Sequence, residues 1–114
     1  MVTIAVREIL LEAAGLYRNE GTLARGASRL EDLQQRMYHD MAADGLGESV
    51  RAVQAANMVR VARMIIASAR ARQESRGAHQ RTDFAARDDA SWLHHTGVSK
   101  DEAGSIALVA VPIR

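Results

Sequence analysis

Cysteine is absent from the 114 residues, proline occurs once, at Pro112, and aromatic residues make up 4%. Without cysteine there is no disulfide framework, no thiolate metal site, no iron–sulfur ligand set and no cysteine nucleophile. Without proline before residue 112, nothing interrupts a long helix, and the Ala-rich stretches favour one. With so few aromatics, aliphatic side chains, alanine and methionine must fill the core. An excess of one charge is also lacking. Fifteen basic and 14 acidic residues leave a net +1, which gives no global electrostatic footprint for nucleic acid. No apolar run is long enough to span a bilayer. The opening MVTIAVREILLEAAG meets Glu8 and Glu12 early and has neither the basic start nor the small-residue cleavage site of a secretory signal, so a cytoplasmic location is expected. An apolar fraction of 47% suits a globular chain. The length suits one domain and is too small for a two-domain cofactor enzyme.

What is present reads as helix. Over residues 2–17, Val6, Leu10, Ala13 and Tyr17 recur at the spacing of one helical face. Thr22 is the expected N-cap of a second helix, since its hydroxyl can accept a free backbone N–H. Leu23, Ala27, Leu30, Leu33, Met37 and Met41 form a narrow apolar stripe along that helix. Gly45 suits a left-handed C-terminal cap. A third helix is expected over about residues 48–73, apolar around most of its circumference and therefore central. Short links imply an antiparallel three-helix bundle over residues 1–75. Residues 76–114 form an irregular tail packed on it, ending in SIALVAVPIR. That last stretch reads as a short β segment, returning from Val98 across a turn at Asp101 to Gly104. The fold class is thus mainly α.

The tail carries a more specific signal. Glu74, Ser75, Arg76, Gly77, Ala78, His79, Arg81 and Asp83 are followed by Arg87, Asp88, Asp89, Trp92, Leu93, His95 and Thr96. This order and spacing resembles the pattern ESRGAH-x-R-x-D, a short gap, then RDD-x-x-W-L-x-HT, near the C-terminus of succinate dehydrogenase and fumarate reductase flavoprotein subunits. The preceding helix, with Asn57-Met58, is similar to the helix that leads into that pattern. L-aspartate oxidases share the bundle and the SRG-x-H part, and the RDD-x-x-W-L-x-HT extension favours the dehydrogenase/reductase branch. Ala85-Ala86 departs from the pattern, where the family commonly has proline.

The resemblance implies an accessory domain that stabilises a separate FAD-binding domain. It also implies a parent enzyme interconverting succinate and fumarate and passing electrons to an iron–sulfur subunit. FAD belongs to that other domain: no strand here leads through G-x-G-x-x-G into a helix. The FAD-binding and capping domains, with the substrate-binding and proton-donating residues, fall outside this region. The isolated chain is therefore expected to be colourless and inactive, with no catalytic, cofactor or metal residue, no nucleic-acid partner and no insertion into a membrane. The alternatives are a free-standing interaction module built on the same fold, or the same domain of an L-aspartate oxidase.

The candidate interdomain residues each have two readings. Arg76, His79, Arg81 and Asp83 either reach the flavin domain or satisfy the backbone of an irregular tail, since buried polar groups need partners. Arg87, Asp88 and Asp89 form either a subunit contact or a local ion-pair knot, with Asp89 able to cap a short helix. Trp92 fills a groove on the bundle or on the missing domain, and His95 completes the motif. His79 and Asp83, four apart, fall short of the three or four ligands a metal needs, even with His94-His95 nearby. The row Arg60, Arg63, Arg70 and Arg72 reads as a solvated face or a dock for an acidic surface. Ser68, Ser75 and Ser91 have no nucleophile context.

Overall fold

The computed structural model describes residues 2–44 and 50–113, with side chains omitted at 41–44. Met41's side chain, Gly45 and the first residues of the expected third helix lie outside them. Three helices, α1 (Val2–Ala13), α2 (Glu20–Asp44) and α3 (Val50–Ala71), precede a one-turn helix, α4 (Asp89–Trp92), and two strands, β1 (His95–Lys100) and β2 (Ile106–Val111). The architecture is the expected helical one with a short antiparallel sheet. Cross-helix contacts run in opposite order along α2 and α3: Glu20 meets Arg70, Gly26 meets Ile66 and Gln34 meets Arg63. The two helices are antiparallel.

The core is aliphatic. Val6, Ile9 and Ala13 of α1 close with Leu23, Leu30, Leu33 and Met37 of α2 and with Val59, Ala62, Ile66 and Ala69 of α3. Gly26 sets the closest approach. A Cβ built there would stand 2.4 Å from the Ala13 methyl and 2.9 Å from the Ile66 side chain, so all three helices converge where α2 has no side chain. α3 buries one stripe, Val59, Ala62, Ile66 and Ala69, and leaves Val53, Val61 and Ile65 exposed. Its apolar circumference is not matched by burial all round: among the described helices and strands α1, α2 and the hairpin lie against it, and Arg81 of the tail meets its C-terminal end.

Two helix ends differ from expectation. α1 stops at Ala13, four residues before Tyr17, which is 68% exposed. Arg18 donates its N–H to the Gln80 carbonyl (2.8 Å) and accepts from the Thr82 N–H (2.8 Å), so this backbone pairs with the tail as a strand would. Those bonds cannot coexist with a helix continued through residue 18. α2 is capped by Asn19 rather than Thr22. Asn19 Oδ1 accepts from the Thr22 N–H (2.9 Å) and Thr22 Oγ1 from the Asn19 N–H (3.2 Å), a reciprocal capping pair that places Thr22 in the first turn.

The hairpin has the expected turn. Its register runs from His95↔Val111 to Lys100↔Ile106. Asp101 accepts from the Gly104 N–H with its carbonyl and from the Ser105 N–H with its carboxylate, and Gly104 takes φ +84°. Such left-handed backbone costs glycine little.

Candidate functional site

The tail folds around two buried charges. Glu74 is fully buried just beyond α3. Its Oε2 accepts from Arg72 Nη1 and from Arg76 Nε (3.0 Å); its Oε1 accepts from Arg76 Nη2 (3.1 Å) and from the Asp88 N–H (3.0 Å). Burial by itself raises this carboxyl's pKa. The bonds from Arg76, the Asp88 amide and Arg72 outweigh it and bring the value down to about 2. Arg76 continues to Asp89 Oδ1 (2.6 Å), and Asp89 also accepts from Arg87 Nη2 (2.8 Å). These two arginines lower the Asp89 pKa, and the carboxylates in turn raise that of Arg76.

Arg81 is the second centre, 2% exposed. Its Nε and Nη2 grip Asp83 in a bidentate pair at 2.9 and 2.6 Å. Its Nη1 donates to the carbonyls of Arg70 (2.8 Å) and Ala69 (3.3 Å), groups left open at the end of α3. A cation here also opposes the negative end of the helix dipole. Asp83 Oδ2 accepts from the Glu20 N–H (2.9 Å) at the start of α2. The Arg81 bonds, working against burial and helped by the Glu20 amide, hold the Asp83 carboxyl at about 2. One side-chain pair therefore closes the C-terminus of α3 and the N-terminus of α2 together.

Ser75 and His79 join the two centres. Ser75 Oγ accepts from the Arg81 N–H (2.9 Å) and lies 2.8 Å from the Phe84 carbonyl, to which it can donate. His79 Nε2 stands 2.9 Å from the Arg72 carbonyl, and Nδ1 stands 3.0 Å from Arg18 Nη1. A carbonyl only accepts and a guanidinium only donates. The ring is therefore neutral with its proton on Nε2. Burial lowers its pKa, and Arg18, Arg81 and Arg72 add to that, against the bond to the carbonyl. The turn that brings His79 back pairs Arg76 with His79 and places Gly77 at φ +57°. No other residue type takes that backbone as easily.

Arg72 clamps the remainder. It donates to the carbonyls of Trp92 (2.8 Å) and His94 (2.6 Å) and to Thr96 Oγ1 (3.2 Å), with its guanidinium 5.2 Å from the centre of the Trp92 ring. The indole is half-buried under it.

The structure thus brings together Arg76, His79, Arg81, Asp83, Arg87, Asp88, Asp89 and Trp92. His95 is exposed at the start of β1, on the rim of a groove it lines with Arg72, Arg76, His79 and Trp92. Asp88, not Asp89, caps α4, accepting from the Ser91 N–H at 3.1 Å; Asp89 is the first helical residue and turns its carboxylate to Arg76 and Arg87. His79 and Asp83 take different partners, and among the described residues no three potential ligands converge on a metal position. Arg72, read as part of a surface row, is central here. So are Ser75, read only as lacking a nucleophile context although the motif includes it, and Arg18, which no local pattern in the sequence marks. Among the described residues every buried side-chain polar atom has a partner.

A dinucleotide cradle needs a strand that turns through glycines into a helix. The two described strands are joined to each other by residues 101–105 instead. The described residues therefore do not fit FAD as its own binding site. No described helix is long and apolar enough to cross a membrane.

Comparison with known proteins agrees with this tail. A family model described as fumarate reductase flavoprotein C-term matches residues 4–114. The chain is 36% identical over 108 residues to a fumarate reductase flavoprotein subunit of Mycobacterium tuberculosis, covering 91% of this chain and 18% of that protein. It is 35% identical over 107 residues to an L-aspartate oxidase of Streptomyces coelicolor, covering 92% and 18%. A solved quinol-fumarate reductase with menaquinol superposes with a TM-score of 0.85 at 28% identity, over 99% of this chain and 21% of the other. The chain thus spans about a fifth of the length of these relatives. From its motif, its fold and these matches, the chain belongs to the C-terminal family of fumarate reductase-type flavoproteins.

Proposed function

We propose that the chain is the C-terminal helical domain of an FAD-dependent flavoprotein subunit of the succinate dehydrogenase/fumarate reductase type, that it steadies the flavin-binding portion, and that it performs no redox step alone. The observation that carries this reading is the self-contained tail. Among the described residues, its buried arginines and carboxylates are bonded to one another and to helix ends. Large exposed apolar side chains support a covered surface: Leu11 in α1 is 76% exposed and Leu16, just after α1, 75%. In the parent enzyme a hydride would move between a substrate carbon and the flavin, and electrons would pass on to an iron–sulfur subunit. The location would be cytoplasmic, at a membrane only through partner subunits. The boundary of the bundle would fall near residue 75, with the bundle packing against the flavin portion and residues 76–114 packing on the bundle.

A second reading has its own support. Identity to the aspartate oxidase is within one percentage point of that to the fumarate reductase, so the substrate of the parent would be either dicarboxylate class. A relative's flavoprotein, expressed without its matching C-terminal region, tests the accessory role. Adding this chain in trans should raise flavin retained through gel filtration and raise the melting midpoint, while the chain alone stays colourless. Arg76→Ala should reduce that retention with helicity kept. Flavin retention that does not change when the chain is added rules out the stabilising role and leaves the free-standing module.

A further inference from the structure

The basic row Arg60, Arg63, Arg70 and Arg72, on α3 and just past its end, divides in two. Arg70 pairs with Glu20 (2.6 Å), and Arg72 with Glu74. Among the described residues, the side chains of Arg60 and Arg63 bond to side-chain amides, Asn57 Oδ1 at 3.4 Å and Gln34 Oε1 at 2.6 Å. Both line a groove of about 480 Å³ between α2, α3 and the hairpin, and Lys100 lines it from β1. Met64, Val98 and Ile106 give it an apolar floor. Among the described residues, no carboxylate lines this groove, and none forms an ion pair with Arg60, Arg63 or Lys100. The adjacent Asp101 turns its carboxylate to the Ser105 N–H at 2.8 Å. Glu31 lies on the neighbouring groove, past Arg63.

We propose that this groove docks an acidic protein segment from a partner chain. An aliphatic side chain would rest on the Met64–Val98–Ile106 floor, and flanking carboxylates would meet Arg60 and Arg63 on one side and Lys100 on the other. Among the described residues of the tail, the arginines Arg76, Arg81 and Arg87 are each matched by a carboxylate. Here three cations gather over apolar surface without one. Guanidinium groups favour planar, two-bonded recognition of carboxylates. A groove of this kind fits a peptide with alternating acidic and aliphatic residues better than a nucleic acid, which would require a longer basic stripe with stacking aromatics. The inference needs no flavin-binding portion and stands apart from the reading above.

The test is fluorescence anisotropy of the full chain with a labelled peptide alternating glutamate and leucine, against a lysine–leucine peptide and a single-stranded oligonucleotide. Binding of the acidic peptide alone is expected. It should weaken as salt rises and drop by about tenfold or more in the triple variant R60E/R63E/K100E with unchanged helical circular dichroism. R60Q/R63Q/K100Q serves if charge reversal disturbs folding, and should give a smaller loss in the same direction. Absence of binding, equal binding by the triple variant, or tighter binding of the oligonucleotide overturns the proposal. So does self-association of the chain that the same triple variant abolishes, since the occupant would then be a second copy.

Discussion

The core between the helices rests on many aliphatic contacts of similar size, whereas the tail hangs on two charged groups, Glu74 and Arg81, each 2% exposed or less. A core of this kind shares its load. Removing one side chain leaves a cavity that its neighbours partly fill. A buried charge pair does not share: removing one partner leaves the other charge in a low dielectric with nothing to compensate it. The two regions also differ in what they connect. The core joins helix faces, while the tail joins helix ends, with Arg81 and Asp83 bound to the last carbonyls of α3 and the first amide of α2. Chain ends that would fray are thereby fixed at the position where the family motif lies.

Arg81→Ala should break this arrangement most severely. It empties the space filled by the buried guanidinium, reopens the α3 carbonyls and takes the partner from the more exposed Asp83, for a loss of about 3–5 kcal/mol in urea unfolding. A loss below about 1 kcal/mol would mean that water replaces the guanidinium at no cost and that the tail is not a structural anchor. Glu74→Gln comes next, at roughly 3 kcal/mol, because the amide keeps acceptor capacity but takes the carboxylate from Arg72 and leaves Arg76 with Asp89 alone. On the core side, Gly26→Ala pushes a methyl to within 2.4 Å of Ala13 and should cost about 1–3 kcal/mol, with the three helices forced apart.

Acid should separate the two regions further, since the aliphatic core does not titrate. Glu74 and Asp83 have folded values of about 2, below their ordinary 4.5 and 3.8. The folded state thus holds fewer protons than the unfolded one across that window. Their stabilisation is complete above about pH 5 and is lost as pH falls toward 2. His79 acts earlier. Its pKa is lowered from 6.5, so the unfolded chain takes up the proton first and stability declines as pH drops below about 6.5. A chemical-denaturation series from pH 8 to pH 2 should show both declines. Glu74→Gln should reduce the lower decline, and His79→Gln should remove the upper one. A wild-type profile flat between pH 7 and 5 would contradict a neutral His79 wedged against Arg18.

Local pattern explains how much of this was legible. The apolar stripe of α2, the existence of α3 and the hairpin turn at Asp101 and Gly104 follow from spacing and turn chemistry within a few residues. The tail residues were legible only through the family motif, and their partners were not. Arg18 meets His79, and Glu20 meets Asp83, across more than 60 positions, a distance that no helical period encodes. The same long-range pairing ends α1 early. Arg72 follows directly on the helix that carries Arg60 and Arg63, and the returning segment of Trp92 and His94 distinguishes it. Gly26 reads as a mild helix breaker until the positions of Ala13 and Ile66 are known.

The smallest effects belong to surface features that resemble the tail's chemistry without its burial. Asn19→Ala removes one side of the capping pair and should cost about 1 kcal/mol. Arg29 and Glu12 join α2 to α1 at 2.7 Å, as short a contact as many in the tail, yet their side chains are 47% and 71% exposed. Water screens both charges, and holding two long side chains in one geometry opposes the gain. Arg29→Ala should therefore shift stability by roughly 0.5 kcal/mol or less, and raising salt should erase even that. The Arg81–Asp83 pair, equally short at 2.6 Å but with Arg81 1% exposed, should keep most of its effect in the same salt. Equal salt sensitivity of the two variants would mean that burial does not set the tail apart, and that the tail is held no more firmly than the surface.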